Sequence, residues 1–488
     1  MRKTKVLFYI LILTGICIFA SSAFGQVAEH PSQLKYKPLK YAPPKPEKYR
    51  EVLSSGMVVY MREDHTLPTL DISATIRTGS LYDPKDKIGL ASMTGSVMRT
   101  GGTGRLSGDD LDERLAYLGA SINSYIGTTS GGASLSALIK DAEEGLQLFA
   151  DVLMNPAFSE DKIQLYKDQE IESIKNKNDS PRSVLSREFN RLFYDKHPLT
   201  AEETQASVES ITQKDLIAFY AQYYAPNNVI LAVAGDFDKE SMLKKIEKAF
   251  AEWPKKQIQF TDIPKVKIKN RPGVYMVQKE INQGYLNVGH FGIKDTNPDI
   301  YAINIMNFIL GGGSFTSRIV TKVRSDEGLA YSTGSRFANR HLFPGLFYGY
   351  VQTKSATVHY AVSLILDEFK RIRKELVSDD EMETAKNYYS DSFPNRFDTA
   401  IRTMRTFASL EYDGFPMDYY DTYREKLNAV TKKDVMRVAK KYIKPTKMSL
   451  FVVGDIEKCK AGYDKHPGTL DEFGKIKIIE LKDPLTGK

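Results

Sequence analysis

Arg324 and Tyr331 are the side chains in this sequence whose types and spacing are best suited to chemistry. A guanidinium and a phenol both donate hydrogen bonds, so together they could bind a peptide carbonyl. Each also has an ordinary structural explanation, as an arginine at the carboxyl end of a helix and as a half-buried strand tyrosine. The glycines at 311–313 could indicate a phosphate loop, but no Gly-Lys-Ser/Thr follows them, so this signal is weak.

Local signals predict the elements that position this pair. The apolar segment from Ala302 to Leu310 predicts a buried helix that the glycine run ends, and Ser314 is placed to cap the next helix. Gly328 ends that second helix just before a strand. We therefore expect Arg324 in the last helical turn and Tyr331 on the adjoining strand, with the turn folding the two toward each other.

The histidines do not form a metal motif. No two of them stand three to five residues apart, which is the spacing that a helical or finger-type site requires. Each is expected to be an ordinary surface or core residue, and a structural role is predicted for the one in the Asp-Lys-His-Pro turn, His197. The full set is His30, His65, His197, His290, His341, His359 and His466.

Length and composition are those of a globular protein with roughly two to four domains. The 488 residues include 68 Lys and Arg and 61 Asp and Glu, which gives a net charge of +7, and 42% are hydrophobic. This charge is too small and diffuse to indicate a nucleic-acid partner, and the composition excludes disorder, collagen and coiled coil. Cys17 and Cys459 are the two cysteines. Once the first is removed with the amino terminus, no internal disulfide or cysteine-rich zinc site can form.

The amino terminus has the pattern of an export signal. Three basic residues precede an apolar run from Val6 to Phe19, and Ala23-Phe24-Gly25 supplies small residues for a signal peptidase. The run is shorter than the roughly 20 residues that span a bilayer, so residues 1–25 are predicted to be a cleaved signal peptide. Residues 26–48, rich in Pro and Lys, are predicted to be an extended arm. The mature protein is expected to be periplasmic or secreted, without stable membrane insertion.

An internal repeat indicates two homologous halves. The segment from Ile211 to Phe237 aligns without a gap on Val430 to Ile456, at an offset of 219 and with nine identities in 27 positions. In each copy a threonine caps a helix, a proline ends it, an apolar run predicts a buried strand and Gly-Asp turns the chain. The same offset places the first strand, Met57 to Met61, on Met276 to Glu280.

Each half is predicted to be α+β, with an antiparallel or mixed sheet and helices packed on one face. Strands and helices do not alternate strictly, as they would in a doubly wound parallel sheet. The predicted organisation is a first domain at 49–253, a Lys-rich linker at 254–270, a second domain at 271–470 and a tail at 471–488.

The segment from Lys87 to Thr103 (KIGLASMTGSVMRTGGT) resembles the zinc helix of the pitrilysin or insulinase family of metallopeptidases, which includes the mitochondrial processing peptidases. That helix carries His-x-x-Glu-His after Gly-Leu-Ala and before a Gly-Thr turn. Two imidazoles four apart lie on one helical face and bind zinc, while the Glu activates the water. Here the three positions hold Ser92, Gly95 and Ser96, so both ligands and the base are replaced.

The family's third zinc ligand, a Glu on a later helix, corresponds here to Ser173. Its neighbours Glu170 and Glu172 could be proposed instead, but a lone carboxylate without two imidazoles does not hold catalytic zinc. A serine nucleophile at Ser92 or Ser96 is disfavoured too, because no His or Lys is placed to activate it and no Gly-x-Ser-x-Gly elbow surrounds it. The resemblance therefore implies no metal in this chain and no catalytic residue in the chain alone.

The second half resembles the family's carboxy-terminal substrate motif. In Leu310 to Arg318 (LGGGSFTSR) and Arg324 to Ser332 (RSDEGLAYS), an Arg and a Tyr seven residues apart flank Gly-Leu-Ala. In the family these two side chains stabilise the substrate and the oxyanion formed at zinc. The resemblance extends from about Tyr49 to about Asp455 and implies that Arg324 and Tyr331 bind substrate.

The family holds a peptide between a zinc-bearing amino-terminal half and a carboxy-terminal half that bears the Arg and Tyr, the two enclosing a chamber. Bacterial members of this length often work in pairs. The resemblance thus implies the non-zinc, substrate-binding subunit of a heterodimeric exported metallopeptidase, inactive alone, which supplies Arg324 and Tyr331 to a partner's zinc. The alternative is a non-proteolytic structural or peptide-binding homologue with no catalytic partner.

Overall fold

The computed structural model describes residues 30, 34 and 41–488. The predicted signal peptide and most of the predicted arm lie outside the described residues. Residues 43–488 form one compact unit, and the architecture below is that of this unit. Among the described residues, no helix combines the length and the apolar character needed to cross a bilayer.

The first half contains a six-stranded sheet with the strand order β1-β2-β6-β3-β5-β4. β2 and β6 are parallel, and the other neighbours are antiparallel. The strands are β1 Arg50–Val52, β2 Val58–Glu63, β3 Thr69–Ile76, β4 Ser121–Ile126, β5 Gly131–Leu138 and β6 Val229–Gly235. The helices are α1 Leu90–Thr100, α2 Gly108–Leu118, α3 Ala142–Met154, α4 Glu160–Asn176, α5 Pro181–Tyr194, α6 Gln205–Ser210, α7 Gln213–Tyr223 and α8 Lys239–Ala249.

The second half repeats this arrangement with the strand order β12-β7-β11-β8-β10-β9. β7 is parallel to β11 and to β12, and the other neighbours are antiparallel. The strands are β7 Gly273–Gln278, β8 Gln283–Phe291, β9 Ala330–Ala338, β10 Leu346–Lys354, β11 Ser449–Gly454 and β12 Ile476–Ile478. The helices are α9 Ile300–Asn307, α10 Arg318–Val320, α11 Val358–Lys374, α12 Asp379–Asp391, α13 Ala400–Tyr412, α14 Tyr423–Asn428, α15 Lys432–Tyr442 and α16 Ile456–Ala461.

These two mixed sheets with helices confirm the predicted α+β class and the two homologous halves. The threonines of the repeat do cap their helices, since Thr212 and Thr431 each form a capping box at the start of α7 and α15. The linker segment 254–270 contains no helix or strand, and β12 lies within the segment predicted as a tail.

The predicted alignment of the first strands is wrong by four residues. Val58 of β2 pairs with Ile230, and Gly273 of β7 pairs with Ser449, which occupies the same place in the repeat. Val58 and Gly273 differ by 215 positions rather than 219, so Met57 to Met61 do not correspond to Met276 to Glu280. The second half has four more residues between β7 and β11 than the first half has between β2 and β6. An alignment without gaps cannot place both pairs of strands correctly.

Each sheet packs its own helices on one face and one helix of the other half on the opposite face. On β10, Phe347 contacts Phe369 of α11 with ring centres 5.0 Å apart. The next residue, Tyr348, points to the other face. There it contacts Phe189 of α5, from the first half, at 5.7 Å.

In return, α13 of the second half packs on β2, β3 and β6 of the first sheet. Tyr60 of β2 and Phe407 of α13 have ring centres 5.9 Å apart. Glu411 accepts hydrogen bonds from the Tyr60 hydroxyl at 2.6 Å and from Arg50 at 2.9 and 2.7 Å. The two halves are therefore joined by exchanged helices as well as by the linker.

Candidate functional site

The structure brings Arg324 and Tyr331 together on the second half. Arg324 lies in a π-helical turn, Thr321–Asp326, that continues α10, and Tyr331 is the second residue of β9. The guanidinium carbon lies 4.3 Å from the centre of the Tyr331 ring, and Nη1 donates to the Tyr331 carbonyl at 3.3 Å. Tyr331 is 83% exposed, so its hydroxyl faces solvent rather than a core. The pair forms an open surface of hydrogen-bond donors.

Phe315 completes this surface and was missed by the sequence analysis. Its ring lies on the guanidinium of Arg324 with 4.3 Å between the guanidinium carbon and the ring centre, so that Arg324 contacts two aromatic rings. Phe315 is 60% exposed. A large aromatic residue directly after Gly-Gly-Gly-Ser is the signal that could have found it. Within the described residues no carboxylate pairs with Arg324, so its remaining N–H groups stay available to a ligand.

The segment before Arg324 differs from the prediction of a helix ended by the glycines and a second helix capped by Ser314. α9 continues into a π-helical turn, Phe308–Gly312, and Ser314 begins a short 3-10 turn at a positive φ of 52° instead of capping α10. Gly311 explains the tight path, because a Cβ there would lie 2.4 Å from the backbone nitrogen of Ser335 in β9. The first of the glycines thus allows close packing on the edge strand, which gives the run a structural explanation. The segment that follows the glycines ends at the buried Arg318, which donates a hydrogen bond to Glu381 at 2.8 Å.

On the first half, α1 presents Ser92 and Ser96 on one partly exposed face, as the four-residue spacing requires. Gly95, at the position of the family's catalytic Glu, is buried against β4. A Cβ on Gly95 would lie 2.2 Å from the backbone nitrogen of Ile126, and the Gly95 carbonyl accepts a hydrogen bond from Ser124 at 2.6 Å. A glutamate cannot occupy this position unless α1 or β4 moves.

Acidic side chains cluster at the start of α1. Asp83 caps the helix by accepting hydrogen bonds from the backbone N–H groups of Gly89 and Ala91, each at 2.9 Å. Burial raises the pKa of Asp83 to about 6. Burial, with the nearby carboxylates of Glu170 and Asp83, raises the pKa of Glu203 to about 7, and burial also raises the pKa of Glu170. Burial therefore disfavours the charged forms of these three carboxyl groups.

The other candidates for a third zinc ligand, Ser173 and Glu172, are exposed side chains on α4. Ser173 is exposed on α4, and the exposed Glu172 carboxylate accepts from Lys175 at 3.0 Å and from Asn176 at 3.2 Å. In the described part of the chain, the one group of three carboxylates or imidazoles close enough to share an ion is the exposed set Glu63, Asp238 and Glu240. That set contains no histidine.

The buried His197 and Cys459 are structural residues. The Nε2 atom of His197 lies 2.7 Å from the carbonyl oxygen of Pro264, and its Nδ1 accepts from the Leu199 N–H at 3.2 Å. Cys459 has no exposed surface, and burial raises the pKa of its thiol to about 11. Neither is placed to attack or activate a substrate. Arg324 and Tyr331 together present hydrogen-bond donors at an exposed surface, and donors of this kind can bind a carbonyl or an anion.

Comparisons with known proteins agree with this structure. The profile of the insulinase family, peptidase family M16, matches residues 58–207, and the profile described as the peptidase M16 inactive domain matches residues 210–389. A curated relative, the non-peptidase homolog YmxG of Helicobacter pylori, is 24% identical over 84% of this chain and 95% of its own length. A solved structure of a peptidase M16 inactive domain from Pseudomonas fluorescens has a TM-score of 0.75 at 24% identity, covering 83% of this chain and 97% of the other.

A longer neighbour contains the same fold. The periplasmic protease PqqL of Escherichia coli superposes with a TM-score of 0.73 at 16% identity, covering 89% of this chain and 50% of PqqL. At such identities these structures establish the fold alone. The two family profiles together span most of the chain, and the residues at the zinc motif are Ser92, Gly95 and Ser96. The chain belongs to the insulinase family, peptidase family M16, as a member that lacks the zinc motif.

Proposed function

We propose that this chain is the non-zinc, substrate-binding subunit of a heterodimeric exported metallopeptidase. In this proposal a homologous partner carries His-x-x-Glu-His and zinc, and this chain supplies Arg324 and Tyr331 to the peptide held at that zinc. The chain alone neither binds stoichiometric zinc nor cleaves peptides. Export to the periplasm follows from the predicted signal peptide.

The observation that carries the proposal is the open pair of donors on the second half. Tyr331 is 83% exposed, and Arg324 is held over its ring without a carboxylate partner among the described residues. An arginine with only a structural role would normally pair with an acid or a row of carbonyls, and a structural tyrosine would normally be half buried. Exposed donors that are already oriented suit a peptide carbonyl or an oxyanion.

Two further observations support the proposal that the zinc and the Arg–Tyr pair lie on different chains. α1 has neither zinc ligands nor space for the catalytic glutamate at Gly95, which supports a zinc site supplied by another chain. PqqL, named a periplasmic protease, is covered over only half of its length by this chain. A second unit of the same fold could therefore complete the enzyme.

The test combines this chain with an exported homologue from the same genome that carries His-x-x-Glu-His. Cleavage of an internally quenched peptide is measured for each chain alone and for the mixture, and zinc is counted by mass spectrometry. We expect zinc in the partner and cleavage in the mixture. Arg324→Ala and Tyr331→Phe should each lower kcat by about 100- to 1,000-fold, because donors to a developing oxyanion are lost.

A matched control is available on the first half. Tyr117 is 78% exposed and lies beside Arg114, with 4.9 Å between the guanidinium carbon and the ring centre. Tyr117→Phe removes the same hydroxyl from a similar pair and should leave cleavage unchanged. If Arg324→Ala and Tyr331→Phe complexes cleave as fast as the wild type, the proposal is wrong. If no zinc-bearing homologue binds the chain, the non-proteolytic alternative is favoured.

A further inference from the structure

A cavity of about 320 Å³ lies between α5 of the first half and the second sheet. Its floor is formed by β8, β9 and β10, and α5 forms its roof. The lining contains no Asp or Glu, although charged residues of both signs are frequent elsewhere in this chain. The polar residues around it are Arg182, Ser186, Tyr285, Asn287, Ser332, Arg336, Tyr348, Tyr350 and Gln352. The cavity is thus positively charged and rich in hydrogen-bond donors.

The two arginines of the cavity differ in their partners. Arg182 on α5 donates to Oε1 of Gln352 at 3.2 Å, and Gln352 in turn donates to the Tyr285 hydroxyl at 3.0 Å. The side chain of Arg336 on β9 is exposed and makes no hydrogen bond or ion pair with any residue that the structure describes. A guanidinium without an anion beside it attracts one, and its fork of N–H groups matches a carboxylate.

Asn287 is an independent sign of a ligand. The residue as a whole is 8% exposed, its side chain lines the cavity, and its carboxamide makes no hydrogen bond within the described part of the chain. Its amide atoms are not among the described polar atoms that are both fully buried and unbonded, so they open onto the cavity and are free to bond a ligand there. The side chains of Tyr348 and Tyr350 line the same space, and their hydroxyls donate to no described residue. Several donors therefore converge on one small volume.

We propose that this cavity binds a carboxylate, and that the carboxylate is the acidic side chain of a bound peptide. The identification of the source as a peptide depends on the function proposed above, whereas the carboxylate chemistry depends only on the cavity. Ser332, which lines the cavity, directly follows Tyr331 in β9, so the two side chains leave the edge strand on opposite faces. Because β9 is the edge strand, a peptide at Tyr331 that passes around this edge reaches the face that bears Ser332 and Arg336.

The test uses the purified chain without any partner, so its failure is distinct from failure of the cleavage experiment. Isothermal titration compares acetyl-Ala-Glu-Ala-amide with acetyl-Ala-Gln-Ala-amide and with inorganic phosphate. We expect the glutamate peptide to bind with one site per chain and the glutamine peptide at least about 10-fold more weakly, since a charge-assisted hydrogen bond is lost. Stronger binding of phosphate than of the glutamate peptide would contradict the peptide as the source.

Variants locate the site. Arg336→Gln should weaken binding of the glutamate peptide by about 10-fold or more, and Asn287→Leu by about 3- to 10-fold. Asn287→Leu replaces a carboxamide that bonds to no described residue, so no hydrogen bond within the protein is lost and the melting temperature should change little, which separates lost binding from lost folding. Arg405→Gln is the matched control, because Arg405 is exposed on α13, outside the cavity, and has no ion pair among the described residues. Binding that is equal in all three variants and the wild type would overturn the proposal.

Discussion

Replacing Gly95 with alanine should destabilise the protein even though alanine is the better helix former. Gly95 lies inside α1, where a glycine costs about 1 kcal/mol of helix propensity relative to alanine. Propensity alone therefore predicts stabilisation. The packing of α1 on β4 predicts the opposite, because the new Cβ would lie 2.2 Å from the backbone nitrogen of Ile126.

The size of the effect follows from this distance. Carbon atoms in good contact stay about 3.5–4.0 Å from their neighbours, so α1 and β4 must separate by about 1 Å or more. Such a shift strains the 2.6 Å hydrogen bond from Ser124 to the Gly95 carbonyl. Overpacking of this kind costs up to about 3 kcal/mol. After the gain of about 1 kcal/mol in propensity, a net loss of about 2 kcal/mol is expected.

Gly145 is the matched control, because it also lies inside a helix, α3. Its added Cβ would meet only side-chain atoms, at 3.4 Å or more, which is ordinary contact. Gly145→Ala should therefore raise the urea midpoint, while Gly95→Ala lowers it, with both followed by circular dichroism. If Gly95→Ala is as stable as the wild type or more stable, α1 does not pack on β4 as described, and space for a glutamate exists.

Four other predictions follow from the described contacts. Cys459 should react with Ellman's reagent only after unfolding, because burial raises the pKa of its thiol to about 11. Glu203→Gln should be more stable than the wild type at pH 8 by about 3 kcal/mol. The pKa of Glu203 is raised from 4.5 to about 7 in the folded state, so the free energy of unfolding of the wild type falls as pH rises through that range, whereas glutamine does not ionise. Tyr60→Phe should cost about 1.5–3 kcal/mol by removing the 2.6 Å hydrogen bond to Glu411. Phe315→Ala should cost less than about 1 kcal/mol in stability, as expected for an exposed cation–π contact, but lower cleavage by the partnered enzyme about 2- to 5-fold.

Each of these has an outcome that would contradict it. Rapid labelling of native Cys459 would show that its pocket opens. Equal stability of the wild type and Glu203→Gln across pH 4 to 8 would mean that Glu203 is solvated. Tyr60→Phe is compared with Tyr117→Phe, whose hydroxyl is exposed, and equal midpoints would argue against the bond to Glu411. Phe315→Ala with unchanged kcat would remove Phe315 from the substrate surface.

The fold could be predicted where short-range signals repeat. Thr212 and Thr431 cap equivalent helices, and the apolar runs after Pro226 and Pro445 form the equivalent strands β6 and β11. The equivalence of the first strands could not be followed, because a four-residue insertion between strands leaves no local mark. Register there is fixed by pairing across the sheet.

The candidate site was predictable in its residue types and less so in its setting. The spacing of Arg324 and Tyr331 around Gly328 indicated that they meet, and they do. The contact between Arg324 and Phe315 depends on the path of the glycine run. That path is set by the close packing of Gly311 on β9. The burial of Gly95 likewise depends on how near a distant strand lies, and no spacing within α1 encodes that distance.

The exchanged helices α5 and α13 bear on how the protein could be cut and reassembled. A protease that cleaves within residues 254–270 would sever the covalent connection, yet each fragment would still have its aromatic helix, with Phe189 or Phe407, embedded in its counterpart. The two fragments should accordingly be insoluble when each is expressed alone and should form the native fold when they are co-expressed. Shuffling halves between relatives would require the donor's helix and the recipient's sheet to be matched as a set.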